Sequence, residues 1–209
     1  TTEIYTLSLH DALPISVTVL AYTDTTYYAL LGMMSKVNLT KADVNIQAAG
    51  PAGVWQQFLA KKADGMASTP DWTVTVMEQG AQVDILPADV YFKSMAQAIL
   101  ASDDTIKNNP QLIQKLVRAT LKGMKDIMAN PKEAAKAYVA HVQTHKGKEA
   151  SIEKMFEMYN KYVYANQKVP GTMDEARLDD LQKFYVANGV VPQATPLKDL
   201  YTNQFVAGK

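Results

Sequence analysis

Residues 17–28 read VTVLAYTDTTYY, and the fold is decided there. The run at 17–22 is apolar and rich in β-branched residues, the composition of a buried strand. Thr23, Asp24, Thr25 and Thr26 follow, all good helix N-cap residues, and YYALLGMMSKV then runs at helical period. A strand that feeds straight into a helix predicts a βα unit.

The same alternation continues outward. Asn38 and Leu39 are expected to close the first helix, and residues 44–47 to form a second strand. Gly50-Pro51-Ala52-Gly53 breaks the chain before a helix expected over 54–62. Asp64-Gly65 turns into the short run Met66-Ala67-Ser68, residues 72–79 read as helix, and 83–86 as one more brief strand. Strands alternating with helices predict a parallel sheet covered on both faces, an α/β fold. Past residue 100 the text is nearly all helical. Asn109-Pro110 and Asn130-Pro131 each set a cap followed by proline at the first helical position. The first of these helices is expected to carry Leu112, Leu116, Leu121, Met124 and Met128 on its apolar side. The next stripe holds Ile152, Met155, Phe156 and Tyr159. Thr172 with Glu175 suggests a capping box for a helix ending at Gly189, and 196–201 a last short segment. Helices with apolar stripes outnumber the strands they would cover, which suggests that part of a sheet lies outside this sequence.

Composition narrows the function classes. Lysine plus arginine (21) equals aspartate plus glutamate (21), so no net charge draws the chain toward nucleic acid or an anionic membrane surface. No stretch approaches the roughly 20 apolar residues that cross a bilayer. With no cysteine, thiol nucleophiles, disulfides and cysteine-held metals are excluded. His141 and His145 stand at i, i+4, but without a surrounding carboxylate–histidine motif they read as solvated side chains near a helix end. No phosphate-binding glycine loop or nucleophile elbow occurs. Asp103-Asp104 and Asp179-Asp180 are neighbours that do not face each other on a helix, so they read as solvated faces.

Three turns remain as candidates, because open parallel sheets bind ligands where the chain leaves the carboxyl ends of the strands. They are 23–28, with hydroxyls and a helix start; 50–55, with glycines and Trp55; and 68–72, with Ser68, Thr69, Asp71 and Trp72. Plain turn chemistry alone explains Thr23, Gly50 and Pro51, and both tryptophans suit a core equally well. Residues 1–16 (TTEIYTLSLHDALPIS) resemble translated adapter DNA and are expected to be foreign to the fold; the alternative is a genuine strand at 4–9.

At these turns the sequence resembles a known family. TDTTYYALLGMMSKVNL, AAGPAGVWQQFLAKKADGMAS and ASDDTIKNNPQLIQKLVRATLKGMKDIMANPKEAAKAYV are similar, in order and spacing, to segments of solute-binding proteins of the nitrate/sulfonate/taurine and thiamine-precursor type. The likeness runs over 17–205. It implies a type II periplasmic-binding-protein-like fold of two lobes, located periplasmically or otherwise outside the cytoplasm. On that mapping 17–96 is a parallel-sheet, ligand-binding lobe. Residues 97–209 cross over and return as helices to an incomplete second lobe, with a hinge near 91–101. The implied ligand contacts are Asp24, Thr25, Thr26 and Tyr27, the 50–53 turn with Gly50 and Gly53, and the 69–72 turn with Thr69, Asp71 and Trp72; Thr23 and Trp55 stand beside them as candidates from the turns themselves. The implied partners are a small solute and an ABC permease. A monomer, no cofactor and no catalysis are expected, along with lobe closure over the solute. Two departures bear on the ligand. Thr69-Pro70-Asp71 stands where relatives carry Trp-Glu-Pro or Trp-Asp-Pro, and Asp24 replaces a small residue. A carboxylate there disfavours a bare sulfonate or nitrate and suggests a pyrimidine or aromatic compound. The alternatives are a thiamine-pyrimidine synthase-like enzyme of the same fold, whose cysteine-rich motif is missing here, and a ligand-sensing domain fragment.

Overall fold

The computed structural model describes residues 15–95, 97–165 and 167–206. The alternative strand at 4–9 and most of the foreign-looking segment therefore lie outside the described residues, as does Ala96 within the expected hinge. The chain divides into two compact units, Thr1–Phe92 and Lys93–Lys209.

The first unit is built on β1 (Ile15–Val19), β2 (Val44–Ala48) and β3 (Gly65–Met66). All three are parallel, in the order β2-β1-β3. Val17 lies opposite both Ile46 and Gly65, so β1 is the central strand. This strand starts two residues before the expected one, taking in Ile15 and Ser16, because parallel pairing uses backbone groups and accepts any side chain. Asp64 reinforces the start: its carboxylate accepts the Ser16 N–H at 2.8 Å. Helices α1 (Thr25–Lys36), α2 (Gly50–Leu59) and α3 (Pro70–Glu78) follow the strands in turn, and α4 (Ala88–Tyr91) ends the unit. Val19, Val54 and Val76 are fully buried, with Leu31, Met34 and Val74 close behind.

α1 closes as its sequence suggests. Asn38 takes a left-handed conformation (φ 59°) while the Leu39 N–H reaches back to the Met34 carbonyl at 2.9 Å. α2 differs, beginning at Gly50 instead of residue 54. Gly50 adopts φ 70°, a conformation that costs glycine nothing, and the helix begins without further loop. Residues 83–86 form no strand; Leu86 is 68% exposed, and an apolar run without a neighbour to pair with stays irregular.

The second unit is helical: α5 (Asp103–Asn108), α6 (Pro110–Ala129), α7 (Pro131–His141), α8 (Glu149–Tyr159), α9 (Glu175–Ala187) and α10 (Leu197–Leu200). A 3-10 turn (Gln143–His145) precedes α8 and a π-helical turn (Asn160–Tyr164) prolongs it. Ala135, Val139 and Ile152 form a buried cluster with Met155 and Phe156 packed against it. Two expectations are corrected. α6 buries Ile113 and half-buries Val117, Leu121, Met124 and Ile127, whereas Leu112 and Leu116 are more than half exposed. The cap of α9 is Asp174, which accepts the Arg177 N–H at 3.2 Å, while the Thr172 hydroxyl donates to the Val169 carbonyl. Gly189 does terminate α9, at φ 68°.

Gly32 gives a test of packing in the first unit. It is buried on α1, and a Cβ there would run into the ring of Phe92. In an open helix Gly→Ala gains up to about 1 kcal/mol. Here overpacking, which costs about 1–3 kcal/mol, opposes and exceeds that gain. Gly32→Ala is therefore expected to lower the urea midpoint with the slope unchanged. A raised midpoint would show that the ring moves aside freely.

Candidate functional site

Parallel strands put all their carboxyl ends on one side, so α1, α2 and α3 start along the same edge of the sheet. Hydrogen bonds tie these exits together. The Thr18 carbonyl accepts from the Ala67 N–H at 2.8 Å, the Val19 carbonyl from Ala49 at 2.9 Å and the Leu20 carbonyl from Gly50 at 3.1 Å. From beneath, the buried Thr18 hydroxyl donates to the Val54 carbonyl at 2.8 Å, fixing α2 against β1. The chain leaves β1 toward β2, then crosses back past it to β3. That reversal makes the exits of β1 and β3 the flanks of a topological switch point.

The first turn carries Thr23, Asp24, Thr25, Thr26 and Tyr27. Asp24 is the N-cap of α1, and its Oδ1 accepts both the Thr26 N–H at 2.9 Å and the Thr26 hydroxyl. Thr23 and Thr25 are exposed, and their hydroxyls make no hydrogen bond among the described residues. Tyr27 is buried and turned toward Tyr22, edge to face at 5.3 Å, with Tyr28 tilted beside it at 5.5 Å.

The second turn leads into α2, which has no side-chain cap. Gly53 is half-buried in its first turn, where an added Cβ would press on the Ala49 Cβ at 3.0 Å; Trp55 is half-buried one residue after Val54. The third turn leads into α3, whose N-cap residue Thr69 makes no side-chain capping bond. The Ser68 and Thr73 hydroxyls lie 2.9 Å from each other and 2.8 and 3.2 Å from the Thr69 carbonyl, so their two protons are used within the turn itself. Asp71 and Trp72, both half-buried, occupy the first turn of α3. Two of the three helix starts thus carry backbone N–H groups with no side chain to cap them.

The sequence did not point to a cleft of ≈ 380 Å³ along the outer edge of β2, lined by Tyr22, Tyr27, Lys41, Val44, Asn45 and Ile46. In the sequence Tyr22 ends the expected first strand, and nothing local marks Lys41. The Tyr22 hydroxyl lies 3.1 Å from the Ile46 carbonyl and 3.4 Å from the Ala48 nitrogen, covering part of the free strand edge. Of the histidines, His141 places Nδ1 2.8 Å from the Ala137 carbonyl and His145 stacks on Tyr138. Among the described residues no His, Cys, Asp and Glu side chains gather as a metal site, and no helix is long and apolar enough to cross a membrane.

The first unit is thus a small parallel α/β unit with three helix starts drawn to one sheet edge. Residues 18–134, more than half of the chain, match the NMT1/THI5-like family, and the chain belongs to it. It is also similar to the riboflavin-binding protein RibY of Chloroflexus aurantiacus, at 26% identity over 186 residues. That alignment covers 87% of this chain and 53% of RibY, so the chain spans about half the length of this curated relative.

The role of Asp24 is open to a direct test. As the cap of α1, its replacement by Ala is expected to cost about 1 kcal/mol of stability, with Asp24→Asn retaining most of it. Equal urea midpoints for the Ala variant and the parent would show that the cap contributes nothing to stability.

Proposed function

We propose that this chain is part of a type II solute-binding protein, the extracytoplasmic component of an ABC importer that hands a small organic solute to a permease. The observation that carries the reading is the lacing of the second and third turns to the exit of β1, from which the first turn continues, by the Ala49, Gly50 and Ala67 N–H groups. On this reading Thr23, Thr25, Gly53, Thr69, Asp71 and the rings of Trp55 and Trp72 frame the crevice. Asp24 and Thr26 hold its first helix in place. The protein grips the solute and leaves its bonds intact, and a second lobe closes over it about a hinge within 91–101. Much of that second lobe would correspond to the part of RibY that this chain does not cover. The exposed Leu112 and Leu116 of α6 would then pack against its sheet.

The chemistry favours a planar heteroaromatic solute with both donors and acceptors. Uncapped starts of α2 and α3 attract carbonyl or anionic oxygens, Asp71 attracts donors, and the tryptophans offer flat surfaces. Riboflavin, named for the relative RibY, has this character, as do aminopyrimidines. With the protein extended to the full length of its gene, titration should quench flavin fluorescence with a Kd of about 1 µM or tighter, or show an aminopyrimidine binding that well. Sub-micromolar binding of taurine, with neither aromatic compound bound, would overturn the assignment of the solute class.

A further inference from the structure

The cleft beside β2 shares Tyr27 with the first strand-end turn but runs away from the strand ends, since Lys41 and Val44 lie at the start of β2 and Gly50 follows its end. We propose that it is a second binding site, for a small planar aromatic carboxylate. Three features converge on that ligand. The exposed ring of Tyr22 and the buried ring of Tyr27 meet edge to face and give the cleft an aromatic wall. The Lys41 ammonium stands 5.7 Å from the centre of the Tyr27 ring and makes no ion pair among the described residues. Its neighbour in sequence, Asp43, is engaged elsewhere: Oδ2 accepts the Thr40 N–H and the Thr40 hydroxyl, both at 2.7 Å. Those bonds, the hydroxyl's first, hold the Asp43 carboxyl below the usual carboxylate range. The third feature is Asn45, exposed at the rim, with both a donor and an acceptor to offer.

Alternatives fit the lining less well. A cation would face Lys41 with no carboxylate among the lining residues to offset the repulsion. A phosphate ester would bring two charges to one lysine, and phosphate recognition favours several donors or an arginine fork. An aliphatic acid would leave the aromatic wall uncovered. A peptide strand would find two of the edge groups, the Ile46 carbonyl and the Ala48 N–H, already facing the Tyr22 hydroxyl. An aromatic monocarboxylate satisfies both wall and charge: its ring lies against Tyr22 and its carboxylate draws Lys41 from a cation–π contact into a charge-assisted hydrogen bond.

The probes are 4-hydroxybenzoate and its uncharged methyl ester, followed by calorimetry on the whole chain. Saturable binding of the acid is expected, with the ester about tenfold weaker or more. Lys41→Gln, a change at an exposed side chain, should weaken the acid about tenfold, and Lys41→Arg should stay within about threefold because a single charge suffices. Tyr22→Ala should weaken acid and ester alike with an unchanged circular dichroism spectrum. Equal affinity for acid and ester would overturn the proposal, as would an indifferent Lys41→Gln or no saturable heat up to about 10 mM acid. None of these outcomes depends on riboflavin or an aminopyrimidine binding at the strand-end turns.

Discussion

The carbonyls at the exit of β1, of Thr18, Val19 and the following Leu20, determine where the other two strands of the sheet may turn. Each takes one N–H from a neighbouring exit, so the starts of α2 and α3 cannot drift along the sheet without breaking a bond in a largely buried layer. A buried backbone group left without a partner costs roughly 1–3 kcal/mol, which is a large share of the stability of a small unit. The Thr18 hydroxyl adds a further anchor from the core side, at no cost in exposed polar surface. Such fixed helix starts can receive a ligand with little reordering, and preorganisation of this kind limits the entropy lost on binding.

The three starts are not equivalent. α1 is closed by its own residue, because Asp24 satisfies the N–H and hydroxyl of Thr26 and brings a negative charge to the positive end of the helix dipole. α2 and α3 have no such closure, and Pro51 and Pro70, lacking an N–H, leave fewer orphan donors to satisfy. Of the four capping candidates at 23–26, Asp24 is the one that caps the helix. Its charge still disfavours an anion nearby. A bare anion would be drawn toward α2, whose first turn has no acidic residue, and a ligand near α1 would meet hydroxyls and aromatic rings.

Much of this architecture was legible from residues. The β1–α1 unit stood out because β-branched apolar positions pass straight into capping residues and then a helical period. The Asn-Pro pairs marked α6 and α7 for the same kind of local reason. What failed was whatever depended on partners. Residues 83–86 look like a strand, but pairing needs a neighbour, and none stands there among the described residues. On α6, Leu112/Leu116 and Ile113/Val117 are two adjacent stripes, and hydrophobicity alone does not tell which one this unit covers. Thr172 and Asp174 competed for one cap, and the residue next to the helix won.

The turns of the candidate site were legible because a parallel sheet makes every strand exit a candidate, whereas the cleft beside β2 was not. That cleft exists because β2 is an edge strand and Tyr22, reaching back from the exit of β1, lays its ring along it. No local pattern joins Tyr22 to Lys41 and Asn45. They meet only when register places Val19 beside Ala48 and so brings the residue after Ala21 over Ile46. Had β2 been paired on both sides, the Ile46 carbonyl would have gone to another strand and the tyrosine would have had nothing to cap. The same edge, unpaired among the described residues, thus creates the recess and sets an aromatic wall within reach of a lysine that no acid among them neutralises.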